Sequence, residues 1–128
     1  DLIVRGACIL PVDAPSLKGR IRVCSIVGRL LEHSRVFYFA LDGQVHMWLS
    51  SADWMSRNMM RRVELAWPIK DRAMQQRIYQ ESLQLYLQDN QDAWQLAEKG
   101  QYERVGAATS DTAPLACQAV LLKQYHSM

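Results

Sequence analysis

The chain holds only three cysteines in 128 residues. Cys8, Cys24 and Cys117 are widely spaced and include no C-x-x-C pair, which argues against a disulfide framework and against a zinc site. Reduced, mostly buried thiols are the expectation. Long hydrophobic runs are missing too: none approaches the roughly 20 residues that a bilayer span requires. The first residues lack a basic segment followed by an apolar one, so no signal peptide is expected. There is no Gly-rich phosphate loop, no Ser-His-Asp order, no metal constellation, no internal repeat and no low-complexity run. What remains is an ordinary globular composition, 49% hydrophobic and 22% charged, long enough for one domain with its own core.

The net charge of +2 conceals an asymmetry. Residues 1–65 carry nine Lys/Arg against six Asp/Glu, a net of +3, and residues 66–128 carry six against seven, a net of −1. Such an excess suits an anionic ligand but is too small to point to nucleic acid.

Leu2 to Leu10 reads as a strand apolar on both faces, as in a covered sheet. A domain seldom opens on a core strand, so a piece of a longer protein is expected. Pro11, Pro15 and Gly19 mark a loop, and Ile21 to Val27 a second strand broken at Gly28. Arg35 to Leu41 and Gln44 to Leu49 form a hairpin about Asp42-Gly43, a dipeptide that tolerates positive φ. Val63 to Trp67 is a short strand stopped by Pro68. From Asp71 to Leu87 apolar residues recur at helical steps, with Asp71 as the cap. Trp94 to Val105 reads as a loop-rich excursion around Gly100. A last helix is expected from about Ala113 to Tyr125, capped by Thr112 with Pro114 in its first turn. The fold class is therefore α/β, with a strand-rich first half and a helical second half.

Residues able to handle phosphate concentrate in the first half. His33 stands at a strand edge between Arg29 and Arg35. Protonated, it can donate to a leaving or bridging oxygen; neutral, it can attack phosphorus. An ordinary surface histidine would look the same. Arg5 is a full charge inside an apolar stretch, and either reaches a ligand, closes an internal salt bridge or snorkels along its stem to water. Arg57, Arg61 and Arg62 follow the small-residue turn Ser50-Ser51-Ala52-Asp53, and a guanidinium binds phosphate oxygens in a bidentate way. Of the neighbours Arg61 and Arg62, one should face a site and the other solvent or Glu64. Asp53 is expected to pair with one of these arginines.

Three blocks in order then resemble a known family: Asp1 to Gly6, Arg22 to Arg35 (with Gly28-Arg29-Leu30-Leu31-Glu32-His33-Ser34-Arg35), and Ser50 to Val63. They are similar to the last domain of the bacterial, histidine-dependent polyphosphate kinases. The resemblance continues more weakly through Ala93-Trp94, Gly100 to Val105 and Gln118-Ala119. It implies a single domain over 1–128 that corresponds to the second of two phospholipase-D-like domains, a mixed β-sheet flanked by helices. It implies a parent that moves the terminal phosphate of ATP reversibly onto polyphosphate through a phosphohistidine in the preceding domain. His33 falls on the family's second active-site histidine, and Arg5 and Arg62 on arginines that contact nucleotide phosphates. The implied partners are ATP or ADP, polyphosphate and the preceding domain, in a homo-oligomeric parent. Magnesium would be bound upstream, with no cofactor in this piece. The implied location is cytoplasmic, either free or peripheral to the inner face of the membrane.

Two positions depart from the pattern. Met60 stands where the family has an aspartate, and Ala40 where the wider phospholipase-D pattern has one after a histidine and a lysine. Ala40 argues against a homodimeric phosphodiesterase. A non-catalytic module that binds polyphosphate or nucleotide, or docks on its neighbour domain, is the other alternative.

Overall fold

The computed structural model describes residues 1–6, 8–106 and 113–126. In chain order the elements are β1 (Leu2–Ile3), β2 (Val23–Ile26), β3 (Val36–Leu41), β4 (Gln44–Ser50), α1 (Ser56–Arg61) and β5 (Ala66–Ile69). There follow α2 (Arg72–Tyr79), a π-helical segment (Gln80–Gln84), α3 (Leu85–Leu87), β6 (Ala93–Leu96), a 3-10 turn (Glu98–Gly100), β7 (Tyr102–Arg104) and α4 (Cys117–His126). The class is α/β, as expected. The chain forms two compact units, one of Asp1–Glu32 with Leu83–Met128 and one of His33–Ser82.

The first unit is a mixed sheet in the order β1-β2-β6-β7. β1 runs parallel to β2, while β2–β6 and β6–β7 are antiparallel. All four residues of β2 are buried, which explains a strand without polar alternation. Its core joins Ile26, Ala93 and Cys117 to Leu85, Tyr86 and Val105. Burial, and then the neighbouring Asp89 carboxylate, push the Cys117 thiol upward, so it is an inert core group. The three cysteines are free.

The second unit is an antiparallel sheet in the order β3-β4-β5. Asp42 and Gly43 take φ of 48° and 75°, so the expected tight turn sets the register at Leu41↔Gln44. Met47 is buried on one face, where Tyr38 packs on Tyr79 with ring centroids 4.9 Å apart. Asp71 caps α2 as expected, accepting the Met74 N–H at 2.8 Å.

Several expectations are corrected. The strand from Leu2 to Leu10 covers only Leu2–Ile3, because Gly6 adopts a φ of 89° and the apolar run beyond it leaves the sheet. Ile9 is 98% exposed. Pro68 does not stop β5 but lies within it, since β5 is an edge strand and a missing N–H is tolerated there. The supposed loop-rich excursion from Trp94 to Val105 is the β6–β7 hairpin, turned by left-handed Lys99 and Gly100. Helix α1 was not expected; its cap position, Met55, offers no side-chain bond to announce it. The helix from Asp71 to Leu87 is present but changes to a π turn at Gln80–Gln84.

The last helix begins at Cys117 rather than near Ala113, because the chain before it is tied to Asn90. Asn90 exchanges backbone and side-chain bonds with Leu115 and donates to the Ala113 carbonyl. Pro114 thus precedes the helix, and Thr112 lies outside the described residues. The helix is capped from afar: Asp89 Oδ2 accepts the Cys117 N–H at 2.7 Å. Its Oδ1 accepts from the N–H groups of Gln91, Asp92 and Ala93. Burial alone would raise this carboxyl, but the converging donors outweigh it and hold Asp89 below its ordinary value.

Asp89→Ala should therefore lower stability by about 2–4 kcal/mol in denaturant unfolding at neutral pH, since it orphans buried N–H groups. A depressed carboxyl contributes fully above the unfolded value and loses that contribution as pH falls through the folded one. Acid unfolding curves of wild type and Asp89→Ala should accordingly converge below pH 3.8.

Candidate functional site

The hairpin of the second unit builds the site. Its register continues one step past β3, where Ser50, the last residue of β4, donates its N–H to the Arg35 carbonyl at 3.1 Å. The chain leaving β4 must therefore pass Arg35, and it brings Asp53 with it. Asp53 Oδ1 accepts from Arg35 Nε at 2.9 Å and from Nη2 at 2.7 Å. Both side chains are largely shielded, 17% and 27% exposed, so the guanidinium is held in one orientation.

That guanidinium lies against His33. Arg35 Nη2 is 2.9 Å from Nε2 and Nη1 is 3.3 Å from Nδ1 of the exposed imidazole. Arginine can only donate, so a ring nitrogen that bonds to it does so with its lone pair, and the tautomer sets which of the two that is. His33, Arg35 and Asp53 thus form a chain of imidazole, guanidinium and carboxylate within one unit. Asp53 does not pair with Arg57, Arg61 or Arg62 through these bonds, contrary to expectation. Arg35, noted in the sequence only as a flanking cation, is the residue that organises the group.

The serine turn has a supporting part. Ser51 N–H donates to the Leu65 carbonyl, Leu65 N–H to Ser51 Oγ, and Ser51 Oγ to the Glu64 carboxylate. Ser50 Oγ donates to the Leu65 carbonyl and accepts the Ala52 N–H. These hydroxyls fasten the segment that presents Asp53 rather than facing outward. Glu64 serves Ser51, not Arg61 or Arg62.

Arg62 ends α1 in extended conformation and is exposed. Its side chain and those of Arg57 and Arg61 make no ion pair or hydrogen bond with another described residue. Arg5 belongs to the first unit. It lies past β1 at the bend before Gly6, not in mid-strand, and is exposed. Instead of an internal salt bridge it donates from Nη1 to the Glu32 carbonyl at 3.2 Å. Among the described residues no group of three or more His, Cys, Asp or Glu could hold a metal ion. No helix among them is long and apolar enough to cross a membrane.

Residues 1–118 match the family described as Polyphosphate kinase C-terminal domain 2. The chain belongs to the polyphosphate kinase family. A polyphosphate kinase of Burkholderia multivorans is 54% identical over 104 residues, covering 81% of this chain and 15% of that protein. One from Xylella fastidiosa is 49% identical over 123 residues, covering 96% of this chain and 18% of the relative. The crystal structure of polyphosphate kinase from Porphyromonas gingivalis matches 99% of this chain at a TM-score of 0.88 and 35% identity, over 19% of its own length. The chain thus spans less than a fifth of each of these polyphosphate kinases. Within the domain, Ala40 sits exposed on β3 opposite Val45, and Met60 is 83% exposed on α1, so neither position supplies a carboxylate.

Asp53→Ala should release Arg35 and lower stability by about 1 kcal/mol in denaturant unfolding, the pair being partly screened by solvent. Arg35→Lys should not preserve the arrangement, because an ammonium cannot span Asp53 and both imidazole nitrogens. Wild-type stability in Asp53→Ala would contradict the clamp.

Proposed function

We propose that this domain is the helper half of a phosphotransfer centre, in a parent that moves the terminal phosphate of ATP to polyphosphate. In this reading the nucleophile is a histidine of the preceding domain. It forms a P–N bond as the bond to the ADP oxygen breaks. The P–N bond then yields to a terminal oxygen of the polyphosphate chain, and the sequence is reversible. His33 is the partner of the transferring group rather than its carrier. The single observation that carries this role is the exposed His33 imidazole lying against Arg35, which Asp53 holds still.

A phosphoryl oxygen arriving at this imidazole meets a guanidinium already oriented to donate. Donors fixed in advance stabilise developing charge without reorganisation during the reaction. The exposed His33 imidazole can take up or return a proton as the oxygen gains or loses charge. Arg5 and Arg62 are assigned to nucleotide phosphates, as bidentate donors with exposed guanidinium groups. Magnesium is expected to act from the upstream part of the parent, and no step here is routed through it. A cytoplasmic, homo-oligomeric parent, free or peripheral to the membrane, belongs to the same reading.

Because the chain spans less than a fifth of its relatives, the 128 residues alone should bind phosphate chains weakly and salt-sensitively, without ATP-dependent synthesis. In the full-length kinase, His33→Ala should lower kcat for polyphosphate synthesis about a hundredfold or more while the melting temperature holds. Near-normal yield from that variant would overturn the role of His33. Arg62→Ala should instead raise KM for ATP.

A further inference from the structure

Side chains on an extended strand alternate between its two sides, so Arg35 and Phe37 project together while Val36 and Tyr38 project the other way. The second side is covered: Tyr38 packs on Tyr79, and Met47, opposite Tyr38, is buried. The first side is met by the chain that leaves β4. Asp53 takes the Arg35 guanidinium, and the next residue, Trp54, lays its indole on the Phe37 ring. The ring centroids are 5.4 Å apart and the planes 25° from parallel, a stacked pair. Two consecutive residues thus grip two alternate positions of one strand, about 7 Å apart along it.

A carboxylate orients a guanidinium only as well as its own backbone is held. Residues 51–55 form no regular element, so that backbone has no ladder or helix to fix it. The serine bonds hold the side toward β4. On the other side, Met55 N–H donates to the Asp53 carbonyl at 2.7 Å, closing a three-residue turn with Trp54 at its centre. Where the indole sits therefore sets where Asp53 points. Trp54 is 76% exposed, so core burial does not explain a tryptophan at this place. Its stack on Phe37 does, and Phe37 is itself braced across the hairpin by its register partner Trp48.

We propose that Trp54, seated on Phe37, is a positioning residue for phosphotransfer, acting through Asp53 on Arg35 and His33. The inference rests on the role proposed for His33 above. Every member of the chain of contacts lies within residues 33–55 of one compact unit. A misplacement of about 1 Å at a reacting group can cost on the order of a hundredfold in rate.

The test is made in the full-length kinase with Trp54→Ala, Trp54→Phe, Phe37→Leu, Asp53→Asn, His33→Ala and the double variant of Trp54→Ala with Asp53→Asn. Trp54→Ala removes an exposed side chain, so it remains informative even where Phe37→Leu fails to fold. Trp54→Ala should lower kcat for polyphosphate synthesis about tenfold, with KM for ATP within about twofold of wild type. Phe37→Leu, which leaves the indole without its ring partner, should lose as much. Trp54→Phe keeps a ring over Phe37 and should recover most of the rate. The double variant should be about as slow as Asp53→Asn alone. Wild-type kcat in Trp54→Ala with a lowered melting temperature would mean a purely structural stack and overturn the proposal. A raised KM for ATP at unchanged kcat would make Trp54 a substrate contact and overturn it too, as would losses that multiply in the double variant. If His33→Ala is inactive while Trp54→Ala works normally, only the positioning role falls. If His33→Ala itself remains active, both readings fall.

Discussion

The ion pair between Arg35 and Asp53 is the interaction on which the candidate site depends. A guanidinium on a free side chain samples many orientations, and ordering it costs entropy whenever a ligand arrives. Asp53 removes that cost in advance by accepting two of its donors at one oxygen, leaving Nη1 and Nη2 turned toward His33. The pair is itself a product of hairpin register. Asp42-Gly43 sets which residues face each other, Ser50 meets Arg35, and the serine bonds to the Glu64–Leu65 stretch hold the descending chain beside it. Tight-turn chemistry thereby decides where a charge is placed.

The first unit uses the same economy of polar groups for a different end. Asp89 gathers four N–H groups from two parts of the chain and starts α4. Gln118, one residue past the start of that helix, then bonds to the Leu30 backbone and to Glu32 in the 28–32 loop. Each buried polar side chain substitutes for a missing backbone partner, which is how such groups are tolerated beside an apolar core. The order of bonds runs from the Asp89 cap to α4, from α4 to Gln118, and from Gln118 to Glu32.

Local features were legible in the sequence, and features that depend on distant partners were not. Asp42-Gly43 and Asp71 carry their conformations in their own side chains and backbone preferences. The His33–Arg35 spacing exposed half of the site, and three sequence blocks identified the family that the comparisons establish. Asp53 was paired with the wrong arginines, although hairpin register could have pointed to Arg35: with Leu41 opposite Gln44, residue 35 must face residue 50. The apolar run after Ile3 concealed a bend because Gly6 outweighs its hydrophobic neighbours. The β6–β7 hairpin was hidden by polar Gln95 and Glu103, which face each other across it. The start of α4 was shifted by Asn90 and Asp89, more than 20 residues upstream, and the reach of Gln118 to Leu30 spans 88 positions. No local pattern encodes such a contact.

The central claim is that Asp53 acts on phosphotransfer through Arg35 and His33 as one unit. A double-mutant cycle in the full-length kinase measures it most directly, using His33→Ala, Asp53→Asn and the double variant in single-turnover transfer. Groups that act as a unit give strongly non-additive losses. The account predicts that the double variant is about as slow as His33→Ala alone. Losses that multiply independently would contradict it.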